Sequence, residues 1–118
     1  MTAIVIEPSG DFLATEVLRA RGARQRARGL LTRPPLEPGQ SLWIEDLRGG
    51  ALIHTFGMRY PIDIAFCDKQ WRVLYVIRGM RPMRFSRWVR RARHVLELPA
   101  GTLGPLVQPG RQLRVTER

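Results

Sequence analysis

The sequence predicts a single α+β domain over residues 1–118, predominantly β, with short strands in an antiparallel or mixed sheet curled towards a barrel or sandwich. Three observations predict it. Turn-forming residues recur at Gly39, Gly49-Gly50, Pro61, Gly79, Pro99, Gly101 and Pro109-Gly110, and runs of four to eight β-favouring residues lie between them. A single segment carries helical periodicity. With 118 residues, 44% hydrophobic and 25% charged, the chain has enough apolar surface for one core and too little bias for a disordered or coiled-coil chain.

The first element is a strand over Ala3 to Glu7, ended by Pro8-Ser9-Gly10, and Thr15 to Arg19 resumes an extended pattern. The two read as an opening hairpin. Ala23, Ala27, Leu30 and Leu31 then form the i, i+4, i+7, i+8 stripe of one short helix, stopped by Pro34-Pro35, where a missing amide and a ring clash forbid continuation. Further strands are expected over Ser41–Glu45, Ala51–Thr55, Ile62–Cys67, Arg72–Arg78, His94–Leu98 and Gln112–Thr116. In the third of these, Ile62, Ile64 and Phe66 share one face, while Asp63 shares the other with Ala65 and Cys67. Val73 to Ile77 is apolar on both faces, which predicts a central strand covered on each side.

The charge is unevenly spread. Nineteen of the twenty basic residues are arginine, and the net charge is +10. No acid lies between Glu16 and Glu37, where there are six arginines, or between Asp68 and Glu97, where there are nine basic residues. The rest of the chain holds five basic residues against all ten acids, so positive potential concentrates where those two stretches reach the surface. An anionic ligand or surface is the partner favoured if the two stretches lie together; the simpler explanation, to which we give more weight, is that arginine reflects coding bias and serves solubility. No apolar run is long enough for a signal-peptide core or a transmembrane segment, which predicts a soluble, cytoplasmic chain.

Three blocks carry a family resemblance: Arg26-Ala-Arg-Gly-Leu-Leu-Thr-Arg33, His54-Thr-Phe-Gly-Met-Arg-Tyr-Pro-Ile-Asp-Ile-Ala-Phe-Cys-Asp68, and Val95-Leu-Glu-Leu-Pro-Ala-Gly101. In order and spacing they resemble the uncharacterised bacterial and archaeal family called domain of unknown function 192 (DUF192, also UPF0127), from about Arg19 to Val115. Leu31 stands where methionine is usual in that family, and Leu42-Trp43-Ile44 replaces Met-Leu-Phe; both exchanges keep apolar volume. The resemblance implies a compact, mainly β domain with one helix. It implies no activity, substrate or catalytic residue.

His54, Arg59, Asp63 and Glu97 are the polar residues within the two most specific blocks, and they are the candidate binding residues. Together they could form a small anion or sugar pocket, with Arg59 as a forked donor, His54 as a tunable donor and two carboxylates as acceptors. The competing reading, which we favour, has Asp63 or Glu97 tying down turn amides or an arginine. Catalytic templates fail for want of residues: there is no Gly-x-Ser-x-Gly elbow around any serine and no phosphate loop at Lys69. A single cysteine excludes an internal disulfide and a thiolate cluster, and the spacing of His54 and His94 matches no compact zinc pattern. Cys67, at the end of an apolar strand, is expected to be a buried inert thiol. No catalytic residue, metal or cofactor is therefore predicted, and non-catalytic binding or accessory work with an anionic or polar partner is the leading function. A nucleic-acid-binding module comes next, and an enzyme using Asp63 and Glu97 third.

The stretch from Arg78 to His94 interleaves arginine with Met80, Met83, Phe85 and Trp88. It reads first as a loop between strands whose aromatics pack down on the sheet. Charge plus stacking on single-stranded nucleic acid, or docking on an anionic membrane, are the alternatives.

Overall fold

The computed structural model describes residues 1–20, 35–45 and 47–117. Eight strands occur among them: β1 (Thr2–Ile6), β2 (Asp11–Ala14), β3 (Glu16–Ala20), β4 (Gln40–Ile44), β5 (Ile62–Cys67), β6 (Val73–Met80), β7 (His94–Pro99) and β8 (Leu113–Glu117). They form a three-stranded sheet, β2-β1-β8, and a five-stranded sheet, β3-β4-β7-β5-β6. The larger sheet is mixed: β3 and β4 run parallel and its other pairs are antiparallel.

Two cores result from the alternation of side chains along the strands. Ile4, Ile6, Leu13 and Leu113 of the small sheet meet Trp43, Ala65, Leu96 and Leu98 of the large one. On the opposite face of the large sheet, Leu42, Ile62, Ile64, Phe66 and Val95 pack with Ala51, Met80, Val89 and Ala92, which come from irregular segments and a strand end. The split of β5 into Ile62, Ile64 and Phe66 against Ala65 and Cys67 follows the period of two read from its sequence.

Several expectations are corrected. The sheets do not close into a barrel: both keep two edge strands. The opening hairpin pairs β1 with β2, through the turn in which the Gly10 amide donates to the Ile6 carbonyl, whereas β3 leaves for the other sheet and pairs with β4. The expected helix over Ala23–Leu31 lies outside the described residues, which contain no helix. Val73 to Ile77 belongs to an edge strand, and Leu74, Tyr75, Val76 and Ile77 are only half-buried there; the central strand is β7. That strand also runs on through Gly79, which the sequence marked as a turn, because a bulge opposite Asp63 absorbs the glycine at φ 63°.

Ala51–Thr55 is not a strand of either sheet. It pairs with the 85–89 segment through isolated bridges, Ala51 to Val89 and His54 to Phe85. The bridges are three residues apart on one side and four on the other, so the second side carries an extra residue. Leu52, His54, Phe85 and Trp88 are exposed along this ribbon, while Ala51, Thr55 and Val89 are buried.

The candidate site and its surroundings

Asp63 is fully buried, and its carboxylate is committed to backbone amides. Oδ1 accepts from Gly79 N–H at 2.7 Å; Oδ2 accepts from Gly101 N–H at 3.0 Å and Leu103 N–H at 2.9 Å. Arg78 complements it by donating to the carbonyls of Leu103, Gly104 and Val107. Between them the two side chains hold the 100–107 loop by both its donors and its acceptors.

Glu97 lies one strand away and faces the other way. Asp63 is registered opposite Leu98 and Ile64 opposite Glu97, so the two carboxylates emerge on opposite faces of the sheet. They cannot share a substrate as an acid/base pair, which removes the geometry that the third-ranked enzymatic reading required. The Glu97 carboxyl sits in the apolar row with Leu42 and Ile64 across from it, and burial pushes it up to about 7. The other buried polar side chains are provided for: Thr2 donates to Glu117, Ser41 to the Leu42 carbonyl and Thr55 to the Arg81 carbonyl, and Glu45 receives a bidentate Arg19. The Tyr60 hydroxyl is buried and has no partner among the described residues, and burial together with the nearby Glu97 charge raises its pKa.

His54 and Arg59 do not join these carboxylates. Both are exposed, and the His54 ring lies beside Phe56 and Phe85, with centroids 5.7 Å and 6.3 Å away. The four candidates therefore occupy three places: a buried anchor, an apolar layer and an outer surface. Cys67 is buried, with its thiol pushed up by burial and by Asp68. Among the described residues no three His, Cys, Asp or Glu side chains come together as metal ligands would.

The arginine-rich stretch does not pack its aromatics down as expected: Phe85 is 64% and Trp88 51% exposed. The reason is Thr55. Its hydroxyl donates to the Arg81 carbonyl at 2.6 Å and accepts from Arg84 N–H at 3.0 Å, fixing the turn so that the following residues run along the outer ribbon. Met83 and Arg91 hold φ of 64° and 67°, conformations that favour glycine, on either side of this tract.

Two recesses adjoin there. One, of about 480 Å³, is lined by Gly49, Asp68, Lys69, Gln70, Arg90, Arg91 and Arg93; the other, of about 500 Å³, by Leu74, Tyr75, Arg87, Val89, Arg90 and Arg91. Arg90 and Arg91 belong to both. The carboxylate in the first is Asp68, whose Oδ1 accepts from the Gln70 and Arg72 amides within its own turn. Arg87 lies over the Tyr75 ring at 5.2 Å. Elsewhere arginines serve the fold: Arg19 clamps Glu45 and covers Trp43, and Arg72, Arg78 and Arg111 donate to backbone carbonyls. Sequence reasoning missed Thr55, Tyr60 and Lys69 as contributors, because no local spacing ties them to the segments they meet.

The described residues form a small two-sheet β domain with exposed arginines and exposed aromatic rings along the 84–93 segment. The chain belongs to the DUF192 family (Uncharacterized ACR), which matches residues 4–115. It is similar in structure to a protein of unknown function from Novosphingobium aromaticivorans DSM 12444, with a TM-score of 0.81 and 19% identity over 95% of this chain and 83% of that one. It is also similar to a candidate transcription regulator from Sinorhizobium meliloti 1021, with a TM-score of 0.77 and 22% identity over 97% of this chain and 91% of that one. At such identities these likenesses concern the fold. No curated protein matches the chain.

Proposed function

We propose that this domain is a non-catalytic binding module that holds an anionic partner on the face built by the 84–93 segment and the β5–β6 turn. The observation that carries this reading is the sharing of Arg90 and Arg91 between two adjoining recesses that also contain Lys69, Arg87 and Arg93. Cations gathered in a concavity raise the local potential above what the same charges produce when spread over a convex surface. Guanidinium groups also suit phosphate oxygens, which they can contact through two parallel donors.

A short polyphosphate is the appropriate probe, since it offers charge without bases or acyl chains. The expected result is saturable binding at about 50 mM salt that weakens steeply as salt rises, and that falls about tenfold or more in an Arg90→Ala/Arg91→Ala variant of unchanged melting temperature. Binding equally strong in that variant would refute the assignment of the site.

A further inference from the structure

The outer side of the 51–55 and 85–89 ribbon carries a second kind of chemistry beside the cationic recesses. Leu52, His54, Phe85 and Trp88 of this ribbon are all exposed. Phe85 meets Phe56 edge to face at 4.7 Å, and His54 adjoins both rings. Trp88 is held from behind: a Cβ on Gly50 would lie 2.8 Å from its Cζ2 atom. The indole is thus supported at one edge and half-exposed elsewhere. Along the chain, rings and cations alternate as Phe85, Arg87, Trp88, Arg90 and Arg91.

Exposed large apolar side chains gathered in one place mark interaction surfaces. From this juxtaposition, and resting on the anionic-partner reading above, we infer that the partner is single-stranded nucleic acid: unpaired bases stack on Phe85 and Trp88, and the phosphates enter the recesses at Arg87, Arg90 and Arg91. Each base offers a π-face whatever its identity, so this arrangement binds with little sequence preference. An anionic bilayer fits less well, because its phosphates lie in a plane, whereas Lys69, Arg90, Arg91 and Arg93 line a hollow. A duplex fits less well too, since its bases are stacked on one another and leave no face for the rings.

The test is fluorescence anisotropy of the full chain with a labelled single-stranded oligonucleotide of about 12 nucleotides at about 0.15 M salt. Competitors are the duplex of the same length, the base-free polyphosphate and phosphatidylglycerol vesicles. The single strand is expected to bind about tenfold more tightly than either the duplex or the polyphosphate. Phe85→Ala/Trp88→Ala is expected to lower single-strand affinity about tenfold or more and to leave polyphosphate affinity unchanged. Trp88→Phe keeps a ring and is expected to retain most of the single-strand affinity, which separates stacking from a folding defect. Loss on Arg90→Ala/Arg91→Ala with no effect of Phe85→Ala/Trp88→Ala would overturn the stacking inference while the anionic-partner reading stands. Equal affinity for duplex and single strand would overturn it as well, as would binding to vesicles alone. Failure of polyphosphate and single strand alike would overturn both readings.

Discussion

Asp63 and Glu97 show how one residue type, a buried carboxylate, takes opposite roles one strand apart. Asp63 accepts three amide hydrogens, and exchanging it for asparagine would replace an acceptor oxygen by an NH2 group facing those donors. Asp63→Asn should cost on the order of 1–3 kcal/mol, read as a lower thermal midpoint in one buffer. An unchanged or raised midpoint would contradict its anchoring role.

Glu97 receives no such backbone donors among the described residues, and its folded-state pKa of about 7 lies above the value of 4.5 expected when the chain unfolds. The folded protein therefore holds this proton more tightly, and the stability linked to it is complete below about pH 4.5 and is lost as pH rises to and through about 7. The shift corresponds to something on the order of 3 kcal/mol. In wild type minus Glu97→Gln, the difference in unfolding free energy should become less favourable to wild type across that interval and flatten above it. A difference constant from pH 4 to pH 8 would contradict the burial of this carboxyl. Tyr60→Phe removes an unsatisfied hydroxyl and should leave stability equal or raise it by about 1 kcal/mol, measured by denaturant titration.

Among the elements, the legible ones were those whose side chains answer to a single environment. Ile62–Cys67 was readable to the residue because both its faces are buried and its flanks are a proline and a turn acid. Val73 to Ile77 misled for the opposite reason: an apolar edge strand and a central strand have the same composition, and pairing partners far along the chain decide between them. Ala51–Thr55 has strand propensity, yet its partner segment carries an extra residue, so the ladder breaks into isolated bridges. Gly50 belongs to this ribbon. At φ 126°, with a Cβ that would lie 2.7 Å from the Val89 carbonyl, it has no room for a side chain. Gly50→Ala should lower the thermal midpoint by several degrees, equivalent to about 1–3 kcal/mol, and increase hydrogen exchange at Ala51 and Val89, whose amides bond across the ribbon. Normal protection at both amides would show that the ribbon tolerates the extra atoms.

For the whole molecule, the charge map read from the sequence was informative about amount and not about place. Of the six arginines in the first basic stretch only Arg19 falls among the described residues, and it is spent on Glu45. The second stretch divides by use: Arg72 and Arg78 hold loops, while Arg87, Arg90, Arg91 and Arg93 gather around the recesses. The sequence-derived site fared similarly. Its four residues fall within motif blocks whose specificity reflects several separate structural demands, so adjacency in sequence did not become adjacency in space. Thr55, inside the same block, turns out to set the path of the arginine tract.

The proposed anion site rests on Arg90 and Arg91 together. Each phosphate they neutralise releases counterions, so the slope of log affinity against log salt counts the contacts, at roughly 0.7–0.9 per phosphate on nucleic-acid strands. The decisive measurement is that slope for polyphosphate binding, from about 50 to 200 mM salt, in wild type and in Arg90→Ala/Arg91→Ala. An anion site at Arg90 and Arg91 predicts a slope shallower by roughly 1.5 in the variant. Equal slopes in the two proteins would contradict it and place the anion elsewhere on the surface.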